Sequence, residues 1–217
     1  ADIAQVERYL KERKIDVFIR DIQGAAVRAA DIIRHMLDFS RRSESRRSVC
    51  DIRTIIDNSL RLASSDYDLK KNYDFKSIRI EKDFADDLPS LHCTETEIEQ
   101  VLLNLLRNAA QAMAGANPPI PEPRIDIRIR PLGTGMRIEI ADNGPGIPPA
   151  HRKRIFEPFF TTKTSGAGTG LGLSVSYFII TKGHGGAMYV GSPAEGGTVF
   201  TIELPGPGES MKNEPHA

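Results

Sequence analysis

The sequence has few cysteines, no excess of either charge and no long apolar run. Its two cysteines, Cys50 and Cys93, match no metal-binding spacing and are interpreted as reduced thiols of a cytoplasmic protein. The 29 basic residues are balanced by 29 acidic ones, which argues against a nucleic-acid-binding role. No apolar run approaches the roughly 18 residues of a membrane span, so we expect no membrane contact from this segment.

What remains is typical of a globular protein of one or two domains. The chain has 217 residues, of which 40% are hydrophobic and 27% charged. Apolar or small residues recur with heptad spacing over residues 17–42 and predict a helix that packs on another helix; they are Ile22, Ala26, Ala29, Ile33 and Met36. The polar stretch SRRSESRRS (40–48) then predicts a linker.

The rest of the chain predicts a mixed domain. We expect helices after Asp51, after a capping box at Thr94 and Glu97 (or Thr96 and Glu99), and over 171–183, ended by Gly183. Strands are predicted over 77–84, over the hairpin 124–130 and 136–142, and in two segments near the end. This order predicts an α+β fold, a two-layer sandwich. Its mostly antiparallel, mixed sheet of about five strands is covered by helices on one face.

Two amides lie four residues apart on the predicted long helix. Asn104 and Asn108 therefore share one of its faces, beside the apolar stripe. Buried amides of this kind are most often structural. An amide oxygen also suits Mg²⁺, which takes its other ligands from water and phosphates.

The segment IADNGPGI (140–147) follows a predicted strand. A DNG sequence alone is most often a hairpin turn. Here, however, Asp142 shares a strand face with Met136, Ile138 and Ile140, so its carboxylate is expected at the edge of the core. A buried carboxylate needs hydrogen-bond donors, and the exocyclic amine of adenine is one such donor.

The segment RIFEPFFTTKTSGAGTGLGLSV (154–175) combines three phenylalanines, a single lysine and alternating glycines before a helix. It is consistent with a local hydrophobic cluster, a linker or a tight turn, and also with a mobile lid. Backbone N–H groups at a helix N-terminus bind anions. The Walker A pattern is absent, and the glycines do not directly follow a strand as a dinucleotide fold requires.

Taken in order, these motifs resemble those of the ATP-binding domain of bacterial sensor histidine kinases. That domain is related to DNA gyrase, Hsp90 and the mismatch-repair ATPase MutL. The segment NLLRNAAQAM (104–113) resembles the N box, DNGPGI (142–147) the G1 box, FEPFFTTK (156–163) the F box and GTGLGL (168–173) the G2 box. The resemblance extends over residues 49–205.

The resemblance implies a role for each matching position. Asn108 would ligate Mg²⁺, Asp142 would accept a hydrogen bond from adenine, and Lys163 would hold phosphates. Asn104 replaces the glutamate that activates water in gyrase-like ATPases, and an amide cannot act as a general base. The resemblance implies three catalytic residues, Asn104, Asn108 and Lys163. The full nucleotide-binding set implied is Asn108, Gln111, Asp142, Gly144, Gly146, Ile147, Phe159, Lys163, Gly168, Thr169, Gly170, Leu171, Gly172, Leu173 and Thr198.

The N-terminal region resembles part of the dimerisation and phosphotransfer hairpin of these kinases. RAADIIRHMLDFSR (28–41) is similar to its second helix, but none of the five histidines has the sequence context of a phosphoacceptor. We therefore expect the acceptor to lie outside this chain, which also begins without Met, and expect no autophosphorylation. The expected organisation is a partial dimerisation segment (1–47), an ATP-binding domain (48–205) and a disordered tail (206–217).

The function implied is transfer of the γ-phosphate of Mg-ATP to a histidine of a sensor kinase, for relay to an aspartate of a response regulator. The partners implied are a second copy, through the dimerisation helices, and a receiver domain. Two alternatives remain open at this stage. One is an ATPase of the same superfamily that drives a conformational change, and the other is a scaffold that senses nucleotide without transfer.

Overall fold

The computed structural model describes residues 47–65, 73–163, 169–193 and 196–207, with scattered positions between 9 and 22. The predicted helix over 17–42 lies almost entirely outside these residues, as does the tail from 208. The chain divides into two compact units. One comprises residues 1–45 and 161–171, and the other comprises residues 46–160 and 172–217.

The larger unit contains the sheets. Its elements, in chain order, are β1 (Ser48–Cys50), α1 (Ile52–Ser65), β2 (Arg79–Phe84), β3 (Leu91–Cys93), α2 (Glu95–Ala114), β4 (Arg124–Leu132), β5 (Gly135–Asp142), α3 (Pro149–Arg152), α4 (Gly172–Phe178), β6 (Ala187–Gly191) and β7 (Thr198–Leu204). A 3₁₀ turn, Phe75–Ser77, precedes β2, and a π-helical turn, Ile179–Gly183, continues α4.

Five strands form one mixed sheet in the order β2-β4-β5-β7-β6. Only the β2–β4 pair is parallel, and the other three pairs are antiparallel. Strands β1 and β3 form a separate two-stranded ladder that the sequence analysis did not predict. The predicted α+β class and the mixed, mostly antiparallel sheet of five strands are confirmed.

Strict alternation along β5 places its two sets of side chains on opposite faces of the sheet. Met136, Ile138 and Ile140 are buried in the core, where they meet the apolar side of α2. Arg137 and Glu139 lie on the other face, where Arg137 pairs with Glu203 of β7 at 2.6 Å. One face therefore packs under helices while the other carries cross-strand ion pairs.

The helix starts show where local signals held and where they failed. Asp51 caps α1 as predicted, since its carboxylate accepts from the N–H of Arg53 at 3.0 Å. The predicted capping boxes of α2 are wrong: Thr94 precedes the helix without a side-chain cap hydrogen bond, and Thr96 lies within it. The N–H of Thr94 donates instead to Nε2 of His184 at 3.1 Å, so a tertiary contact replaces the local cap.

Candidate functional site

Asn104 joins the long helix to the first turn of α4. Its Nδ2 donates to the carbonyl oxygen of Gly172 and to Oγ of Ser176, both at 3.2 Å. The fully buried hydroxyl of Ser176 in turn donates to the same carbonyl at 2.9 Å. Asn104 therefore acts as a hydrogen-bond donor through its amide nitrogen. Asn108, one turn further along α2, and Gln111 beyond it are both half-buried.

The carboxylate of Asp142 lies at the end of β5, next to Thr198 of β7 in the strand register. Its Oδ1 accepts from the N–H of Gly144 at 2.9 Å, and the backbone and hydroxyl of Thr198 also hydrogen-bond to it. Burial raises the pKa of Asp142, and these hydrogen bonds oppose that rise. A half-buried carboxylate with preset donors around it is a strong acceptor for an amine donor.

Three glycines allow backbone segments to meet around this carboxylate. A Cβ on Gly144 would lie 2.8 Å from Oδ1 of Asp142 and 3.3 Å from Cγ of Met113, so the loop after β5 packs on α2. Gly197 has a φ of +86°, and its Cβ would lie 2.1 Å from the carbonyl oxygen of Asp142. Gly146 has a φ of +77°, and a Cβ on it would lie 2.9 Å from the carbonyl oxygen of Gly197. At Gly146 and Gly197 only glycine fits, because both combine a positive φ with a close backbone contact.

The three phenylalanines of the F-box-like segment take different environments. Phe156 stacks on Tyr177 of α4 with ring centroids 4.9 Å apart. Phe160 lies under the guanidinium of Arg154, with 4.4 Å between the Arg154 Cζ and the ring centroid. Phe159 is 60% exposed and has a φ of +67°, which is uncommon for a bulky residue. Phe159 therefore does not join the core.

The remaining candidate residues fall in both units. Gly172 and Leu173 start α4 in the larger unit, and Leu173 packs against its core. Lys163, Thr169, Gly170 and Leu171 belong to the smaller unit. There the exposed Lys163 donates its backbone N–H to Oγ1 of Thr161 at 3.2 Å, and Gly170 has a φ of +67°. Gly168 lies outside the described residues.

Sequence reasoning missed four residues that contact this site: Arg152, Ser176, Ser192 and Gly197. Ser176 could have been found, because it lies four residues after Gly172 on the same helix. Gly197 also had a signal in the GGT turn before Thr198. No motif marks Arg152, whose Nε donates to the Ile147 carbonyl, or Ser192, whose hydroxyl accepts from the Ile147 N–H across 45 positions of the chain.

Among the described residues, no three or more histidine, cysteine, aspartate or glutamate side chains are grouped as metal ligands. No helix within the described part of the chain is long and apolar enough to span a membrane.

Comparison with known proteins gives a family match. Residues 93–208 match the family of histidine kinase-, DNA gyrase B- and HSP90-like ATPases. The sensor kinase CckA of Brucella abortus is 37% identical over 196 residues, which cover 86% of this chain and 20% of CckA. This chain spans between 12% and 35% of the length of the eight curated relatives compared.

Solved structures agree with this match. The catalytic domain of the histidine kinase ThkA is 31% identical with a TM-score of 0.60, covering 73% of this chain and 95% of that domain. ThkA in complex with its response regulator TrrA is 25% identical with a TM-score of 0.64, covering 94% of this chain and 56% of the ThkA chain. The chain belongs to the histidine kinase-, DNA gyrase B- and HSP90-like ATPase family and contains the catalytic domain of a sensor histidine kinase.

Proposed function

We propose that this chain binds Mg-ATP and transfers the γ-phosphoryl group to a histidine on the dimerisation domain of a sensor kinase. In this step the bond between the γ-phosphorus and the β–γ bridging oxygen breaks, and a bond to an imidazole nitrogen forms. ADP leaves with the electron pair, and the imidazole loses its proton. The phosphoryl group would then pass to an aspartate of a response regulator.

The observation that carries the proposal is the environment of Asp142. The carboxylate is half-buried and burial raises its pKa, yet three groups hydrogen-bond to it: the N–H of Gly144 and the backbone and hydroxyl of Thr198. Adenine would complete this site, because its exocyclic amine donates to the carboxylate while Gly144 and Gly146 admit the base close to the backbone. Ile147 would pack at the rim, and Thr198 would support Asp142.

The phosphate end of the nucleotide would be bound by groups on α2 and on the glycine-rich segment. Asn108 fits Mg²⁺ in its donor chemistry, since a neutral amide oxygen is a ligand of hard cations that also bind phosphate oxygens. The metal would neutralise charge on the phosphates. Lys163 and the amides from Gly168 to Gly172 would bind phosphate oxygens, with Gln111, Phe159, Thr169, Leu171 and Leu173 lining the site.

The role of Asn104 favours transfer to a side chain over hydrolysis. Hydrolysis of ATP by a general base requires a group that accepts a proton from water. Asn104 is an amide, and its nitrogen already donates to Gly172 and Ser176. The position therefore serves to join two helices of the site, and no base is supplied there.

The test supplies the acceptor separately. The chain is mixed with Mg-ATP labelled on the γ-phosphate and with a purified dimerisation hairpin that carries a phosphoacceptor histidine. Label on the hairpin, stable in alkali and lost in acid, supports the proposal. A hairpin with glutamine in place of the histidine should give no label, and the Asp142→Asn chain should label the normal hairpin more slowly at an ATP concentration below the wild-type KM.

Two other outcomes would contradict the proposal. Release of free phosphate without labelled hairpin would identify a conformational ATPase. Nucleotide binding without either product would identify a sensing scaffold.

The response regulator is supported as a partner by the ThkA–TrrA complex, and homodimerisation through residues 1–47 remains part of the proposal.

A further inference from the structure

The backbone of Ile147 is held from two sides by side chains of other elements. Its N–H donates to Oγ of Ser192 at 3.1 Å, and the same hydroxyl lies 3.5 Å from the Ile147 carbonyl oxygen. Nε of Arg152, at the end of α3, donates to that carbonyl at 3.0 Å. Both backbone groups of one loop residue are therefore satisfied by side chains.

The start of the loop that carries Ile147 is held separately, since Asn143 hydrogen-bonds to the backbone of Arg124 and Glu122 and Gly144 to the Asp142 carboxylate. Residues 143–148 connect β5 to α3 and belong to no strand or helix. Pro145 and Pro148 have no N–H to donate. Gly146 adopts a φ of +77° and lies against the Gly197 carbonyl, so the hydrogen bonds of the next residue, Ile147, come from the Ser192 and Arg152 side chains.

Ser192 connects the end of the sheet to this loop. It directly follows Gly191, the last residue of β6, which pairs with Val199 of β7. The neighbouring residue Thr198 pairs in turn with Asp142. Ser192 and Asp142 thus lie at the same end of one sheet, and the hydrogen bond from Ser192 to the Ile147 backbone keeps Ile147 in register with the Asp142 carboxylate.

We propose that Ser192 is a positioning residue for nucleotide binding, which fixes Ile147 at the rim of the adenine pocket, with Arg152 holding the same residue from α3. This inference rests on the proposed function. Ser192 touches no reacting atom, so it acts on affinity rather than on phosphoryl transfer.

The test combines a nucleotide-free measurement with a binding measurement. In the nucleotide-free protein, Ser192→Ala should accelerate hydrogen exchange of the Ile147 amide, observed by NMR. In calorimetry with Mg-ADP, the same variant should raise the Kd by about 3- to 10-fold, the range expected for one neutral hydrogen bond. In the transfer assay the KM for ATP should rise by a similar factor, with kcat at saturating ATP within about twofold of wild type.

Two further variants keep the result interpretable. Ser192→Thr retains the hydroxyl and should restore the Kd, and Ser192→Cys keeps the size and should weaken binding even if the alanine variant folds poorly. Ser64→Ala is the matched control, because among the described residues that hydroxyl bonds only within α1. An unchanged Ile147 exchange rate in both Ser192→Ala and Ser192→Cys would overturn the inference whether or not nucleotide binds. Unchanged Kd values for both variants would also overturn it, while a wild-type chain that binds no Mg-ADP would overturn the proposed function together with it.

Discussion

The imidazole of His184 accepts a hydrogen bond from the backbone N–H of Thr94, with the two nitrogens 3.1 Å apart. Nδ1 of the same ring lies 3.0 Å from the carbonyl oxygen of Ile179 and donates to it. His184 therefore joins the start of α2, which carries Asn104 and Asn108, to the end of the helix that begins at Gly172. Because one nitrogen must accept, the ring is required in its neutral form.

We expect the stability of the protein to fall as the pH is lowered past the unfolded pKa of histidine, about 6.5. Burial lowers the pKa of His184; Glu97 opposes this effect and Arg47 adds to it. The unfolded state then binds more protons, so the contribution of His184 is complete above about pH 6.5 and is lost as the pH falls towards the folded pKa. Urea unfolding between pH 5 and pH 8 measures this slope, which His184→Gln should make shallower by up to about 1.4 kcal/mol per pH unit. The exposed His92 provides the control His92→Gln, and parallel curves for wild type and His184→Gln would contradict the prediction.

Asp142→Asn should weaken binding of Mg-ADP by about 10- to 150-fold. A hydrogen bond to a charged acceptor contributes about 1.5–3 kcal/mol, and the substitution removes the charge while keeping the shape. Calorimetry measures the change. Glu139→Gln is the matched control, since Glu139 lies three residues earlier on β5 but on the opposite face of the sheet. An affinity within twofold of wild type for Asp142→Asn would rule out adenine recognition by this carboxylate.

Asn104→Asp should lower the free energy of unfolding by about 1–3 kcal/mol. The substitution places a carboxylate oxygen where an N–H now donates to the Gly172 carbonyl, so two acceptors face each other. Chemical denaturation measures the loss. Asn58→Asp is the control because the Asn58 oxygen accepts from Arg61 and its amide nitrogen donates to none of the described residues, so this change should affect stability little. Equal stabilities of the two variants would show that the Asn104 amide does not join the helices.

Gly197→Ala should destabilise the domain by about 2–5 kcal/mol. The new Cβ would lie 2.1 Å from the Asp142 carbonyl oxygen, at a φ of +86° that alanine rarely adopts, so overpacking and backbone strain add together. Gly191→Ala serves as the control. Gly191 is the last residue of β6, has no positive φ, and an added Cβ there would meet no other part of the described chain within 4 Å. A thermal melt of Gly197→Ala that superimposes on that of Gly191→Ala would contradict the predicted contact.

Sequence patterns predicted the parts of the fold that depend on near neighbours along the chain. The alternation in β4 and β5 predicted the hairpin, because its period of two decides which side chains are buried. The same reasoning placed Asp142 on the buried face. The α2 stripe was predicted from its helical spacing, whereas its capping box was not formed because His184 takes the Thr94 N–H.

The amino-acid sequence by itself determined the period of each element, the apolar face of each and the position of the motifs, since all of these follow from spacings of two to four residues. Only the tertiary structure decided that Asn104 binds the first turn of α4, that Gly197 lies against Asp142 and that Ser192 holds Ile147. Each of these contacts joins residues at least 45 positions apart. Their geometry is set by how the sheet and helices pack, which no local pattern specifies.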